Sequence, residues 1–296
     1  MENQEFGKII PTSFHRCVKK PIEAFLFIDP LCSDCWTIEP YIIKLLLEYG
    51  DYFSLRYILT GKAETATSNP LTWNKPANIR FVWEKTSSLH GFSCDGKRTL
   101  YHSESSPYIC SFAVKAAELQ GRKAGAIFLR KLRKHLFLHT IEVPDNDQLL
   151  TVAKNSGIDV TEFMHDLHSP SAARAFQCDL KFTNEMHITE IPSIVFFQTN
   201  SDAEGIKVAG VYSYPVYVQV LKEMMNNQLV AKPLPSFEKT IERFEFLTTD
   251  EIAVIYDLTH TEAEIELKKL QLKRKVKQYS CERDVYWTLV KENDSV

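Results

Sequence analysis

The chain has 296 residues, with 35 Lys and Arg against 38 Asp and Glu, a net charge of −3. That balance excludes the strongly basic surface that would hold nucleic acid or an anionic membrane. The length suits one large domain or two, and no stretch reaches the ~18 uninterrupted apolar residues of a membrane span.

The N-terminus, MENQEFGKIIPTSFHRCVKKP, lacks the apolar centre and small-residue cleavage site of a signal peptide. A cytoplasmic protein is expected. "IEAFLFID", residues 22–29, reads as a short buried strand between prolines. From Cys35 to Tyr49 apolar residues recur every three or four positions, an amphipathic helix stopped by Gly50. "YFSLRYILT" reads as a second strand, which completes a βαβ unit.

Residues 71–187 read as helices. The segment NIRFVWEKTSSLHG is one, and SPYICSFAVKAAELQG is another, with Ser106 as N-cap and Pro107 at the first helical position. Three more follow from residue 123 to 169, the second of them starting at Asp145 or Asn146 and stopped by Gly157, and PSAARAFQCDLKFTNEMH ends the set. "IPSIVFFQ" and "GIKVAGVYS" then read as strands and "YPVYVQVLKEMMNNQ" as a helix. The order βαβ, helices, ββα predicts an α/β thioredoxin-like sheet with a large helical insertion at about 71–187, all within residues 1–230.

"VAKPLPS", residues 230–236, reads as a linker. Beyond it, residues 237–296 predict a small C-terminal winged-helix-like module. Its second helix is expected to be capped by Thr249 or Asp250. Its third is expected to open with a capping box, Thr261 with Glu264, and to run into the basic stretch KKLQLKRKVK. That stretch could be a DNA recognition helix, but the acidic residues around it favour protein contact or solvent.

Seven scattered cysteines argue against a disulfide framework. Only Cys32 and Cys35 are close, in a CxxC where the first strand meets the helix. A helix start favours thiolate, while Asp34 between the cysteines should oppose it. Ile191-Pro192 opens the third strand, and a cis-proline there would face the CxxC. Three readings of the pair stay open: a redox-sensing or regulatory dithiol, a thiol–disulfide oxidoreductase, and an inert relic. Zinc would need two more ligands, for which His15 and Cys17 are the candidates, so no metal is expected. Cys94, Cys110 and Cys178 read as structural thiols. Trp36, Trp73, Trp83 and Trp287 read as core or groove aromatics.

The segments FIDPLCSDCWTIEP, GFSCDG, SSPYICSFAVKAAELQGRKAG, FQCDLKFTNEM and GVYSYPVY, in this order, resemble the SpxH (YjbH) family. The resemblance implies a DsbA-like thioredoxin fold that acts without turnover as an adaptor. It implies binding of the transcription regulator Spx and promotion of its degradation by the ClpXP protease, with ClpX or ClpP as a further partner. The family's cysteine pair corresponds to Cys32 and Cys35. Ser33-Asp34 between them departs from the family's pattern of a proline in first place.

Overall fold

The computed structural model describes residues 20–61, 108–139, 144–199, 204–281 and 285–290. The expectations for His15, Cys17, Trp73, Trp83, Cys94, Ser106, Pro107 and the helix at 78–91 lie outside them. No helix among the described residues is long and apolar enough to cross a membrane.

β1 (Ile22–Ile28) lies at the centre of a four-stranded sheet. It pairs in parallel with β2 (Phe53–Leu59) and antiparallel with β3 (Ser193–Gln198), and β3 carries β4 (Ile206–Ala209) at the edge. The expected single helix after β1 is two helices, α1 (Ser33–Thr37) and α2 (Glu39–Glu48). Pro40 is the reason. It has no N–H to give the carbonyl one turn back, so the first ladder ends and a new one starts.

Five helices fill the connection from β2 to β3 among the described residues: α3 (Ile109–Leu119), α4 (Arg122–Lys134), α5 (Asn146–Asn155), α6 (Val160–Leu167) and α7 (Pro170–Glu185). A single π-type turn, His135–His139, extends α4. α3 starts from Tyr108 and makes no side-chain cap bond. The Asp145 cap of α5 is as expected, with Gln148 completing a capping box. Trp36 stacks on Phe137 at 5.7 Å, which pins α1 to the insertion. α8 (Tyr214–Met224) closes the unit.

The C-terminal residues form α9 (Phe237–Phe244), β5 (Leu247–Thr248), α10 (Thr249–Tyr256), α11 (His260–Leu272), β6 (Val276–Ser280) and β7 (Val285–Leu289). The sheet runs β5-β7-β6, wholly antiparallel. Two caps differ from expectation. Thr248 with Glu251 caps α10, and Thr259 with Glu262 caps α11. Each lies one or two residues earlier than expected; for α11 the reason is the αL residue Asp257, which ends α10 early and lets α11 begin at once. The basic stretch is not one helix. α11 ends at Leu272, Arg274 turns with φ 56°, and Val276 begins β6. Lys268, Lys269 and Lys275 pair with Glu264, Glu266 and Glu238 at 2.6, 2.6 and 2.8 Å.

The two cores are not independent. Ile43 and Leu47 of α2 pack with Ile241, Leu247, Ile252, Leu267 and Trp287, while Ile42 and Leu45 of the same helix face the main core. Lys44, also buried, reaches Asp257 at 2.5 Å. The 230–236 stretch is strapped down. Val230 N–H donates to Tyr52 Oη at 3.2 Å, Lys232 N–H to Glu48 O at 2.9 Å, and Tyr256 Oη–H to Pro235 O at 2.8 Å.

Candidate functional site

The backbone leaves β1 through Asp29-Pro30-Leu31. The Asp29 carboxylate accepts from Leu31 N–H at 2.8 Å, and its carbonyl from Cys32 N–H at 3.1 Å. This turn sets Cys32 at the N-cap of α1, where its sulfur accepts from Cys35 N–H at 3.4 Å. The CxxC is therefore built as the sequence suggested, with both thiols free. Both thiols are buried. Cys32 is 4% exposed and Cys35 is 0% exposed, and disulfide exchange needs an accessible attacking sulfur. Burial pushes the Cys35 thiol well up, Cys32 adds to this, and Arg133 pulls it back only in part. Asp34 is not the main cause that the sequence suggested; loss of water around the sulfur is.

The Ile191-Pro192 bond is cis. Ser193 pairs with Phe27, so one step further along the register Pro192 lies level with Ile28. Pro192 thus sits at the end of the sheet from which the Cys32 turn departs. Cys110 is buried as expected. Cys178 is not; it stands exposed on α7, because its neighbours Phe176 and Asp179 take the inward positions of that helix. Trp36 and Trp287 are core residues, and Trp287 Nε1–H donates to Thr249 Oγ1 at 3.0 Å.

A second constellation was not foreseen. Glu39, at the start of α2, is buried and accepts from Arg133 Nη1 at 2.9 Å and Arg130 Nη1 at 3.4 Å. Arg130 also donates to both carboxylate oxygens of Glu251, Nη2 lying 3.0 and 3.3 Å away, and to the Phe246 carbonyl at 2.8 Å. Its guanidinium lies 4.4 Å from the Phe246 ring. Two arginines and two carboxylates thus cancel in the interior. Burial opposes the charge on Arg130, but Glu251 and Glu39 together push its pKa up. The network ties the helix after the dithiol, the insertion and the C-terminal module to one point. The signal in the sequence was weak: arginines three apart on the otherwise apolar face of "AIFLRKLRKH".

The sheet order, the helical insertion and a CxxC at the first helix define a thioredoxin-fold protein of the DsbA-like class. Residues 25–219 match the family described as Thioredoxin. A putative protein disulfide isomerase from Nitrosomonas europaea superposes with a TM-score of 0.52 at 18% identity, covering 70% of this chain and 97% of its own. A probable DsbA oxidoreductase from Streptomyces coelicolor does so at 0.50 and 12%, covering 73% and 94%. At such identities the likeness is one of fold. Sequence likeness is far higher elsewhere. The ClpXP adapter protein SpxH of Bacillus cereus is 58% identical over 297 residues, all of both chains. That of Bacillus subtilis (strain 168) is 42% identical over 275 residues, 92% of this chain and 91% of its own. The chain belongs to the SpxH family of ClpXP adapter proteins.

Proposed function

We propose that the protein is an adaptor that binds the transcription regulator Spx and promotes its degradation by ClpXP in the cytoplasm, without chemistry of its own. Full-length likeness to relatives named as ClpXP adapters is the observation that carries this reading. The closed dithiol supports it, since a thiol–disulfide oxidoreductase needs an accessible sulfur. An adaptor has only to hold the client beside the protease or favour a conformation that the protease can engage. ClpX or ClpP would be its second partner. Residues 1–230 would form the DsbA-like domain and residues 237–296 a winged-helix-like module. The order helix, strand, two helices, two strands supports the latter.

On this reading Cys32 and Cys35 sense oxidants rather than turn over, and cis-Pro192 closes the same end of the sheet. The double variant Cys32→Ser/Cys35→Ser should still accelerate Spx degradation by ClpXP in reducing buffer, to within about twofold of wild type. Interface energy comes mainly from a few buried anchors, not from two small thiols. Complete loss of stimulation in a variant folded by circular dichroism would refute an adaptor free of chemistry. Insulin reduction separates the enzyme reading. The protein should show no turnover that depends on Cys32, and turnover abolished by Cys32→Ser would establish an oxidoreductase.

A further inference from the structure

α6 carries three side chains of metal-ligating type on one face, Glu162, His165 and Asp166, at helical spacings of three and four. One donor atom from each lies within 4.8 Å of the other two. The helix holds them in place. Phe163 and Leu167 of α6 are buried, and the Phe163 ring lies 5.1 Å from that of Phe128. At its start, Gln120 Nε2–H donates to Asp159 O and Asp159 N–H to Gln120 Oε1, both at 2.8 Å. At its end, Ser169 Oγ–H donates to Asp166 O at 2.8 Å. The charges on this face do not cancel. Asp166 is 9% exposed, yet its carboxylate accepts no hydrogen bond from any described residue. Its one ion-pair contact among them, His165 Nδ1, is 3.6 Å away, too far for a hydrogen bond. Glu162 pairs with no lysine or arginine among the described residues. Asp166 also stands in the last turn of α6, where the macrodipole disfavours a negative charge. A buried carboxylate with neither a donor nor a full counter-charge is costly.

We propose that Glu162, His165 and Asp166 bind one divalent transition-metal ion of the zinc class, with Asp166 as the buried ligand and solvent at the fourth position. Ligands at about 2.0–2.2 Å in a tetrahedron around zinc stand about 3.4 Å apart. The 3.6 Å between His165 and Asp166 is close to that edge. Glu162 is exposed and has only to swing its side chain inward to complete the set. Two carboxylates neutralise the ion. The imidazole selects zinc over calcium or magnesium, which take oxygen ligands. None of the cysteines takes part, so the site is independent of the dithiol.

The test uses the full chain and zinc chloride. Cys32 and Cys35, themselves able to hold zinc, are replaced by serine in every protein compared. Affinity is read by competition with a chromophoric chelator. The place of binding is read by amide hydrogen exchange of residues 159–169 with and without zinc. We expect His165→Ala and Asp166→Asn each to weaken one equivalent of zinc by about tenfold or more, since loss of even an outer partner of a metal ligand costs about 10–100-fold. Exchange in residues 159–169 should slow with zinc in the parent and not in His165→Ala. His165 is exposed, so its removal spares the fold, and circular dichroism checks that of Asp166→Asn. Equal zinc affinity in the parent and His165→Ala, or exchange that zinc leaves unchanged, overturns the proposal, wherever else the chain holds metal. Slowing by calcium chloride but not by zinc overturns it too, because the imidazole would then not be a ligand.

Discussion

Arg130→Met is expected to destabilise the protein by roughly 3–5 kcal/mol, the usual range when one partner of a buried ion pair is removed. The variant leaves Glu251 buried without its guanidinium and strips a donor from the Phe246 carbonyl. Calorimetric unfolding at neutral pH measures the loss. The sign of its pH dependence is fixed. Burial already pushes the Glu251 carboxyl up, against the pull of Arg130 and the Thr248 amide. Without Arg130 it rises further. The cost of burying that charge is then full above the raised value and vanishes once the carboxyl is protonated. The deficit of the variant should therefore shrink as pH falls toward the ordinary carboxylate range; a deficit that grows in acid would place the damage elsewhere. The same variant should loosen the docked strap, so limited proteolysis should cut between residues 228 and 238 faster than in wild type. Equal cutting rates would mean that the network does not hold the module.

Trp287→Ala is expected to cost about 3–5 kcal/mol, the range for truncating a fully buried large aromatic. Trp287 is 0% exposed at the middle of the module's core, and its indole N–H bond to Thr249 is lost as well. The four-stranded sheet lies outside this core, so denaturation should separate into two steps. With Trp73 and Trp83 replaced by Phe in both proteins, tryptophan fluorescence of the variant reports the main core through Trp36, and far-ultraviolet circular dichroism reports the whole. The fluorescence midpoint should stay near wild type while part of the dichroism is lost at lower denaturant. One coincident transition, shifted as a whole, would show that the shared helix α2 makes the two units melt together.

Most of the fold was legible from spacing alone. The strand at 22–28, the CxxC at its end, the proline before the third strand and the cap at Asp145 are local signals, and local signals survive folding. What was missed depended on tertiary partners. α2 looked like an ordinary amphipathic helix, because Ile42, Leu45 and Tyr49 already made one apolar stripe. That Ile43 and Leu47 formed a second stripe for a second core needed the module in place. The buried arginines were invisible for the same reason. In sequence nothing sets Arg130 and Arg133 apart from surface arginines, and only Glu39 and Glu251, about a hundred residues away on either side, make them interior groups. Capping was misplaced by two residues in α11 because two Thr-x-x-Glu pairs overlap, and only the left-handed turn at Asp257 selects between them.

A helix with one face in each of two cores also limits how such a protein can evolve. A thioredoxin unit borrowed from an enzyme would bring a second helix whose outer face is polar, and it would offer the C-terminal residues no seat. Nor could the module be transplanted alone, since Ile43, Leu47, Lys44 and Glu39 complete its packing and its charge balance from outside. The two parts must have been fitted to one another by changes on a ten-residue helix. Substitutions at Ile43, Lys44 or Leu47 should therefore be accepted in descent only together with changes around Ile252, Asp257 and Leu267, a pattern of joint inheritance that an ordinary one-sided helix does not impose.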